Sequence, residues 1–461
     1  MYLVERSTRR VRATYPFAAR PGVPICLVRT PTRRAIFPAA PGRSATVASL
    51  TQQLTERAPT DAPPGTRYVW TMQNPPTVAR LRPFASTIFA EMTELAVRHG
   101  AVNLGQGFPD SDGPAAMLEV AERAIAEGFN QYPPGRGVPI LRQAIARDRA
   151  ERYGTRYDPD SEILVTVGAT EAISAAVLGL VEPGEEVVLI EPYYDSYAAA
   201  VALAGATRRT ARLVPDGDGF ALDLDSLRAA ITAKTRLLLL NSPHNPTGTV
   251  LDRADLLAIA ELAGEHDLIV VTDEVYEHLT FDGHEHISIS TLPGMFERTV
   301  VISSAAKTFS VTGWKIGWAC APAPLLDGVL AAKQFLTFVG GGPFQPAVAH
   351  ALEHEMPWVS TLRDTLSDKR TRLSKALGEA GFGVKRSDGT YFVCADITPL
   401  STADAMTFCR ELPERLGVAA VPLSVFADDT DSWNHLVRFT FCKKEETITE
   451  GIRRLHAAQH H

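Results

Sequence analysis

Lys307 lies in Ser303-Ser304-Ala305-Ala306-Lys307-Thr308-Phe309-Ser310-Val311-Thr312-Gly313-Trp314-Lys315-Ile316-Gly317-Trp318, a lysine among small residues behind the apolar run Thr299-Val300-Val301-Ile302. A close-packed pocket strips the hydration that favours a charged amine, so its pKa falls and the nitrogen becomes a nucleophile able to form Schiff bases. The residue alone decides nothing, because most lysines are solvated surface residues. Four other stretches carry groups that would complete a site. Gly168-Ala169-Thr170-Glu171-Ala172 follows the apolar run 163–167. Strand, small turn and helix would aim backbone N–H groups at a phosphate, although an ordinary strand-to-helix turn reads the same way. Asn241-Ser242-Pro243-His244-Asn245-Pro246-Thr247-Gly248 follows the run 236–240, and its Asn-Pro and Thr-Gly pairs are turn chemistry from which an asparagine can offer its amide. Asp273, in Thr272-Asp273-Glu274-Val275-Tyr276, ends the apolar run 268–271. That puts a carboxylate at the C-terminal end of a strand, where parallel α/β sheets bind ligands. Arg438 stands inside the apolar strand Val437-Arg438-Phe439-Thr440-Phe441. A buried arginine is costly unless paired. A ligand carboxylate would be a two-pronged partner, and an internal Asp or Glu is the other candidate.

Positioning these groups requires a sheet. From about residue 113 to 350, β-rich runs alternate with helical patterns: 185–190 predicts a strand, 194–203 a helix, and 254–265 a helix with Leu256, Leu257, Ile259, Ala260 and Leu262 on one side. Such alternation implies a mostly parallel sheet covered by helices. From about 352 the pattern changes to a long charged helix, 361–380, and two strands, 389–395 and 436–441. That is α+β character and predicts a second, smaller unit. No internal repeat is present.

All five stretches, in their order along the chain, resemble the class I/II aminotransferases (pyridoxal-phosphate enzymes of fold type I), in which Ser-x-x-Lys is followed by Gly-x-Lys/Arg-x-Gly. The resemblance covers about residues 77 to 455. It implies an α/β fold with a large domain, 113–351, and a small α+β domain built from both chain ends, 77–112 and 352–461. It also implies pyridoxal 5′-phosphate as cofactor, no metal, and a homodimer with shared active sites. Lys307 would hold the cofactor covalently and, once displaced, move the proton between substrate Cα and cofactor C4′. Asp273 would keep the cofactor's ring nitrogen protonated, so that the ring can act as an electron sink. Tyr276 and Asn245 would hydrogen-bond the ring hydroxyl. Tyr194, in Glu191-Pro192-Tyr193-Tyr194-Asp195, would stack on the ring, unless it is a core aromatic.

The same resemblance gives the phosphate to Ala169, Thr170, Ser304 and Lys315. Aspartate aminotransferases have arginine where Lys315 stands; lysine keeps the charge and loses the bidentate fork. The change resembles the kynurenine/glutamine and N-succinyldiaminopimelate branch. Tyr132, in Asn130-Gln131-Tyr132-Pro133-Pro134-Gly135, matches a tyrosine that relatives donate to the phosphate across the subunit interface; a plain turn residue is the alternative. The substrate α-carboxylate would meet Arg438, Asn245 and the N–H of Gly107, in Leu104-Gly105-Gln106-Gly107-Phe108-Pro109-Asp110. Residues 130–135, 167–173, 339–346 and 433–443 are most similar to actinobacterial N-succinyldiaminopimelate aminotransferases of lysine biosynthesis. The implied activity moves an amino group from that donor to a 2-oxo acid, 2-oxoglutarate. A broad kynurenine/glutamine transaminase with cysteine-conjugate β-lyase activity is the alternative. An aminotransferase-like transcriptional regulator is a remote one, since residues 1–76 lack the length and periodicity of a helix-turn-helix domain. Arg136 could read a distal substrate carboxylate or be a solvated turn residue.

Bulk properties agree. A chain of 461 residues suits two packed units, and 45% apolar with 21% charged residues is ordinary for a globular protein. The formal net charge of -7 argues against a nucleic-acid partner. No run of about 18 apolar residues predicts a membrane span. The five cysteines, Cys26, Cys320, Cys394, Cys409 and Cys442, are scattered without Cys-x-x-Cys spacing, which argues against disulfide or zinc frameworks and suits the cytoplasm. Residues 1–76 are rich in arginine and proline and poor in acid. They read as a disordered tail, a transit peptide, or sequence ahead of a later start at Met72, the reading favoured here.

Overall fold

The protein is described here by a computed structural model covering residues 77–84 and 88–457. The expectations for 1–76 lie outside the described residues. The described residues form one compact unit.

Its main sheet has eight strands: β1 (Ile163–Val167), β2 (Glu186–Glu191), β3 (Thr207–Asp216), β4 (Gly219–Leu222), β5 (Thr235–Asn241), β6 (Ile269–Asp273), β7 (Thr299–Ser304) and β8 (Ile316–Cys320). They lie in the order β1-β8-β7-β6-β5-β2-β3-β4. The contiguous run β7-β6-β5-β2-β3 is parallel. β8 runs antiparallel between β1 and β7, and β4 pairs antiparallel at the other edge. The central strands are apolar on both faces because helices cover both faces. Leu237 and Leu239 join one core with Val271 and Ile302, whereas Leu238 and Leu240 join another with Val270. Helix α1 (Gly168–Leu180) follows β1, and α2 (Asp195–Ala204) follows β2.

A second sheet holds β9 (Gly383–Val384), β10 (Phe392–Asp396), β11 (Val421–Pro422) and β12 (Leu436–Thr440), antiparallel in the order β9-β10-β12-β11. Its apolar core includes Leu373, Phe408, Phe439 and Ile448 together with Met92 and Leu104 from the N-terminal side. The helix Met356–Glu379 begins in one core at Val359 and ends in this one at Leu373 and Leu377.

Two sequence expectations are corrected. The strand expected at 389–395 begins only at Phe392, because Thr390 takes a left-handed backbone with φ 68° that interrupts extended pairing. The helix expected at 361–380 starts earlier, at Met356, where Pro357 occupies the first turn and needs no N–H partner.

Candidate active site

The parallel strands deliver the candidate residues to one edge. Asn241 ends β5, Asp273 ends β6 and Ser304 ends β7, and Asn241 and Asp273 are direct register partners. The turn after β1 contributes Ala169 and Thr170, and Tyr194 stands immediately before α2. Lys315 precedes β8, which runs the other way and so starts at the same edge. Gly107, Ala169, Thr170, Tyr194, Asn245, Asp273, Tyr276, Ser304, Lys307, Lys315 and Arg438 all line one cavity of about 320 Å³. This is where parallel α/β sheets bind ligands.

The phosphate-type corner depends on two glycines. Gly168 has φ 75°, and a Cβ there would lie 3.0 Å from Lys315 Nζ. A Cβ on Gly317 would lie 2.6 Å from Ala169 N. The missing side chains let β8 press against the start of α1 and leave its first N–H groups open to the cavity. Glu171 braces the turn by accepting from Val167 N at 2.5 Å.

Asp273 is buried, and burial pushes its carboxyl up to about 6 despite hydrogen bonds from Tyr197 and the Val275 N–H. Tyr197 Oη donates to Oδ2 at 2.7 Å and Val275 N to Oδ1 at 3.2 Å. The strand end is fixed as well: Asn241 Nδ2 donates to Asp273 O at 2.8 Å, and Asn241 Oδ1 accepts from Asn245 N at 2.7 Å. Lys307 lines the cavity, and desolvation brings its amine down to about 8. Its Nζ is 2.9 Å from Tyr391 Oη. Burial raises both Tyr194 and Tyr276 above the ordinary phenol value, so both are neutral donors.

Arg438 comes from β12, the central strand between Cys394 of β10 and Val421 of β11. Nη1 donates to Asn245 Oδ1 at 2.9 Å and Nη2 to Gly105 O at 3.3 Å, while Nε has no partner. Among the described residues no carboxylate lies within ion-pair distance of it, which disposes of the internal Asp or Glu alternative. The guanidinium is 4.0 Å from the Phe392 ring centroid and 4.9 Å from that of Phe426. A buried, charged and underpaired arginine facing a cavity needs an anion from outside.

Tyr132 is not among the residues of this cavity; it is 81% exposed and packs edge-on against Phe338 at 5.4 Å. Arg136 is engaged elsewhere, donating to Asp327 at 2.6 Å and to Ser161 O at 3.1 Å. Three further residues belong to the site. Tyr197 had a signal, a third tyrosine three residues after Tyr194 on the same helix face. Tyr391 and Phe392 had none, since both read as strand residues.

Behind Asp273 lies a buried ion cluster. Arg149 donates to Glu274 at 2.7 Å and to Glu277 at 2.6 Å, and Tyr153 donates to Glu277 at 2.7 Å. Glu274, Glu277 and His286 converge as metal ligands would, but the Arg149 guanidinium already holds both carboxylates.

The described residues fit pyridoxal 5′-phosphate: open N–H groups and a lysine for the phosphate, a buried carboxylate for the ring nitrogen, and an amine of lowered pKa. The family profile for "Aminotransferase class I and II" matches residues 100–455. A probable N-succinyldiaminopimelate aminotransferase, DapC, of Mycobacterium tuberculosis is 61% identical over 387 residues, covering 82% of this chain and 98% of that protein. The solved structure of N-succinyldiaminopimelate aminotransferase from Mycobacterium tuberculosis has a TM-score of 0.81 at 62% identity, covering 83% of this chain and 100% of that one. Kynurenine–oxoglutarate transaminase 3 of Mus musculus is 36% identical, covering 80% of this chain and 87% of that protein. With the site at the sheet edge and most of the chain matched, this protein belongs to the class I and II aminotransferases and is a pyridoxal-phosphate-dependent transaminase.

Proposed function

We propose that the protein moves the amino group of N-succinyl-LL-diaminopimelate to 2-oxoglutarate. The observation that carries this reading is the 61% identity to a protein of that name, extending over 98% of its length.

When bound, pyridoxal 5′-phosphate supplies an electron sink for the substrate Cα. The remaining work falls to the chain. Arg438, with Asn245 and the Gly107 N–H, holds the α-carboxylate and so fixes which Cα bond faces Lys307. The Lys307 amine, brought down to about 8, holds the cofactor and, when free, takes and returns the Cα proton at Nζ. Asp273 would hold the ring nitrogen with its negative charge, Tyr276 and Asn245 would hydrogen-bond the ring hydroxyl, and Tyr194 would stack on the ring. Ala169, Thr170, Ser304 and Lys315 hold the phosphate. Residues 113–351 act as the large domain, and 77–112 with 352–461 as the small one.

The active unit in this reading is a homodimer in the cytoplasm. Tyr132 then serves the neighbour's phosphate, which accounts for an exposed tyrosine packed against the exposed Phe338. The four described cysteines are buried and free, as suits a reducing compartment.

A second reading rests on the cavity wall. Phe89, Phe108 and Phe392 line it, and Arg438 is its only arginine among the described residues. Such a wall favours apolar donors such as kynurenine or methionine, and leaves a distal carboxylate to be read by groups from another subunit. A donor panel against 2-oxoglutarate, with N-succinyl-LL-diaminopimelate, kynurenine, glutamine and methionine, separates the two. The first reading requires kcat/KM for the succinylated donor to lead by about tenfold, roughly one added charged contact. A lead for kynurenine or methionine overturns it.

A further inference from the structure

We propose that Tyr391 is a positioning residue for the Lys307 amine: its hydroxyl ties Nζ to the carbonyl of Gly107, so that the proton-moving amine and the loop that reads the substrate carboxylate are held as one unit. The proposal rests on the role given above to Lys307.

Proton counting fixes the direction of both bonds. Tyr391 Oη is 2.8 Å from Gly107 O, and a carbonyl can only accept, so the single phenolic proton is spent there. The lone pairs of Oη are then what Lys307 Nζ meets at 2.9 Å, and the amine donates. Burial holds the Tyr391 phenol well above its ordinary value, so the proton stays on oxygen and the chain keeps its direction.

The tyrosine is built to hold still. It is 1% exposed, its ring stands edge-on to Tyr276 at 5.1 Å and to Phe392 at 4.8 Å, and its backbone carbonyl accepts from Phe441 N at 3.0 Å and Thr440 Oγ1 at 3.1 Å. Thr390 just before it takes φ 68°, a costly conformation for a β-branched residue. That local kink turns Tyr391 out of the strand path and toward Lys307. The loop at the other end is equally pinned. A Cβ on Gly107 would lie 2.5 Å from the Phe392 ring, and Gly105 O accepts from Arg438. Arg438 and Tyr391 therefore grip the same loop, one carrying the carboxylate site and the other the amine. A substrate seated on Arg438 meets an amine already aimed.

The test uses the full-length holoenzyme with Tyr391→Phe, and with 3,5-difluorotyrosine at position 391, which keeps the ring and its proton but weakens Oη as an acceptor. Borohydride reduction and peptide mass spectrometry first locate the pyridoxyl label. On another lysine it overturns the role of Lys307 and this proposal with it. With the label on Lys307, two readouts judge Tyr391 alone. The first is the kinetic isotope effect of α-deuterated amino donor. The second is the pH dependence of acetic-anhydride labelling of Lys307 in the cofactor-free protein. Losing an acceptor that favours the charged amine shifts that titration to lower pH, and loosening the amine slows proton transfer, so kcat falls about tenfold and the isotope effect rises. The fluorinated protein shifts both readouts in the same direction by a smaller step, and decides the matter if Tyr391→Phe fails to fold. A fall in kcat with both readouts unchanged reduces Tyr391 to a packing residue and overturns the proposal.

Discussion

Tyr197 Oη donates to Asp273 Oδ2 at 2.7 Å, and among the described residues no other side chain hydrogen-bonds that carboxylate. The bond favours the charged form, opposing the burial that pushes Asp273 up to about 6. Tyr197→Phe removes the opposition, so the carboxyl titrates higher still. The acid limb of the kcat profile moves to higher pH, and activity at pH 6 falls about threefold to tenfold more than at pH 8. An unmoved acid limb in a folded variant contradicts this.

Asp273→Asn trades stability against turnover. In the cofactor-free protein the folded state releases the Asp273 proton near pH 6 and the unfolded chain near 4, so between those values the folded state binds more protons. Stability from this group is therefore present below pH 4 and declines as pH rises to 6. The amide has nothing to ionise, and the cofactor-free variant is more stable than the parent at pH 7 by roughly 1–3 kcal/mol. Calorimetry at pH 4 and 7 reads the difference, which vanishes at the lower pH. The loaded variant loses kcat by ~10² or more, because the stabilising charge acts on the transition state.

Arg438→Lys and Arg438→Ala separate charge from geometry. Lysine keeps the charge and loses the fork, lowering kcat/KM about tenfold for amino donor and 2-oxo acid alike. Alanine removes both and lowers it by ~10² or more. Steady-state kinetics with each substrate varied in turn checks the ratio. A loss confined to one substrate contradicts a shared α-carboxylate site.

Mixed dimers test Tyr132. In the proposed homodimer, Lys307→Ala and Tyr132→Ala are each expected to lose activity alone. In a heterodimer with composite sites, one site carries both changes and the other neither, so about half of the parent activity returns. Native mass spectrometry confirms subunit exchange beforehand. Confirmed heterodimers without recovered activity place both residues in one subunit's site.

Five strands of the eight-stranded sheet (β1, β2, β5, β6 and β7) and the polar groups of the cavity were legible, most of them because they sit at or just beyond the end of an apolar strand, whereas β3, β4 and β8 were not. Leu237 to Leu240 announce β5, and the turn that leaves β5 must lie at the sheet edge. Arg438 was legible as an anomaly, a charge in a run of β-formers. Tyr391 was not, because a strand pattern does not reveal that Thr390 leaves the extended region. Arg149 was not legible either. It lies in the arginine-rich helix Pro139–Tyr153, whose sequence resembles a solvated face, and its two glutamate partners are more than a hundred residues away. Pairings of that range come from topology and not from local pattern.

The Arg149 cluster also constrains how this sequence can diverge. The Glu274 N–H donates to Ile302 O, while its carboxylate is clamped by Arg149, so the residue next to Asp273 is fixed at both ends. Removing Arg149 strands two buried carboxylates, at a cost of about 3–5 kcal/mol, and removing either glutamate leaves a single buried pair that the next single step would break. An apolar replacement of all three together can be neutral or better. Single-step mutational paths between the ionic and the apolar versions thus cross a valley, and drift at positions 149, 274 and 277 is expected to occur as a block or not at all.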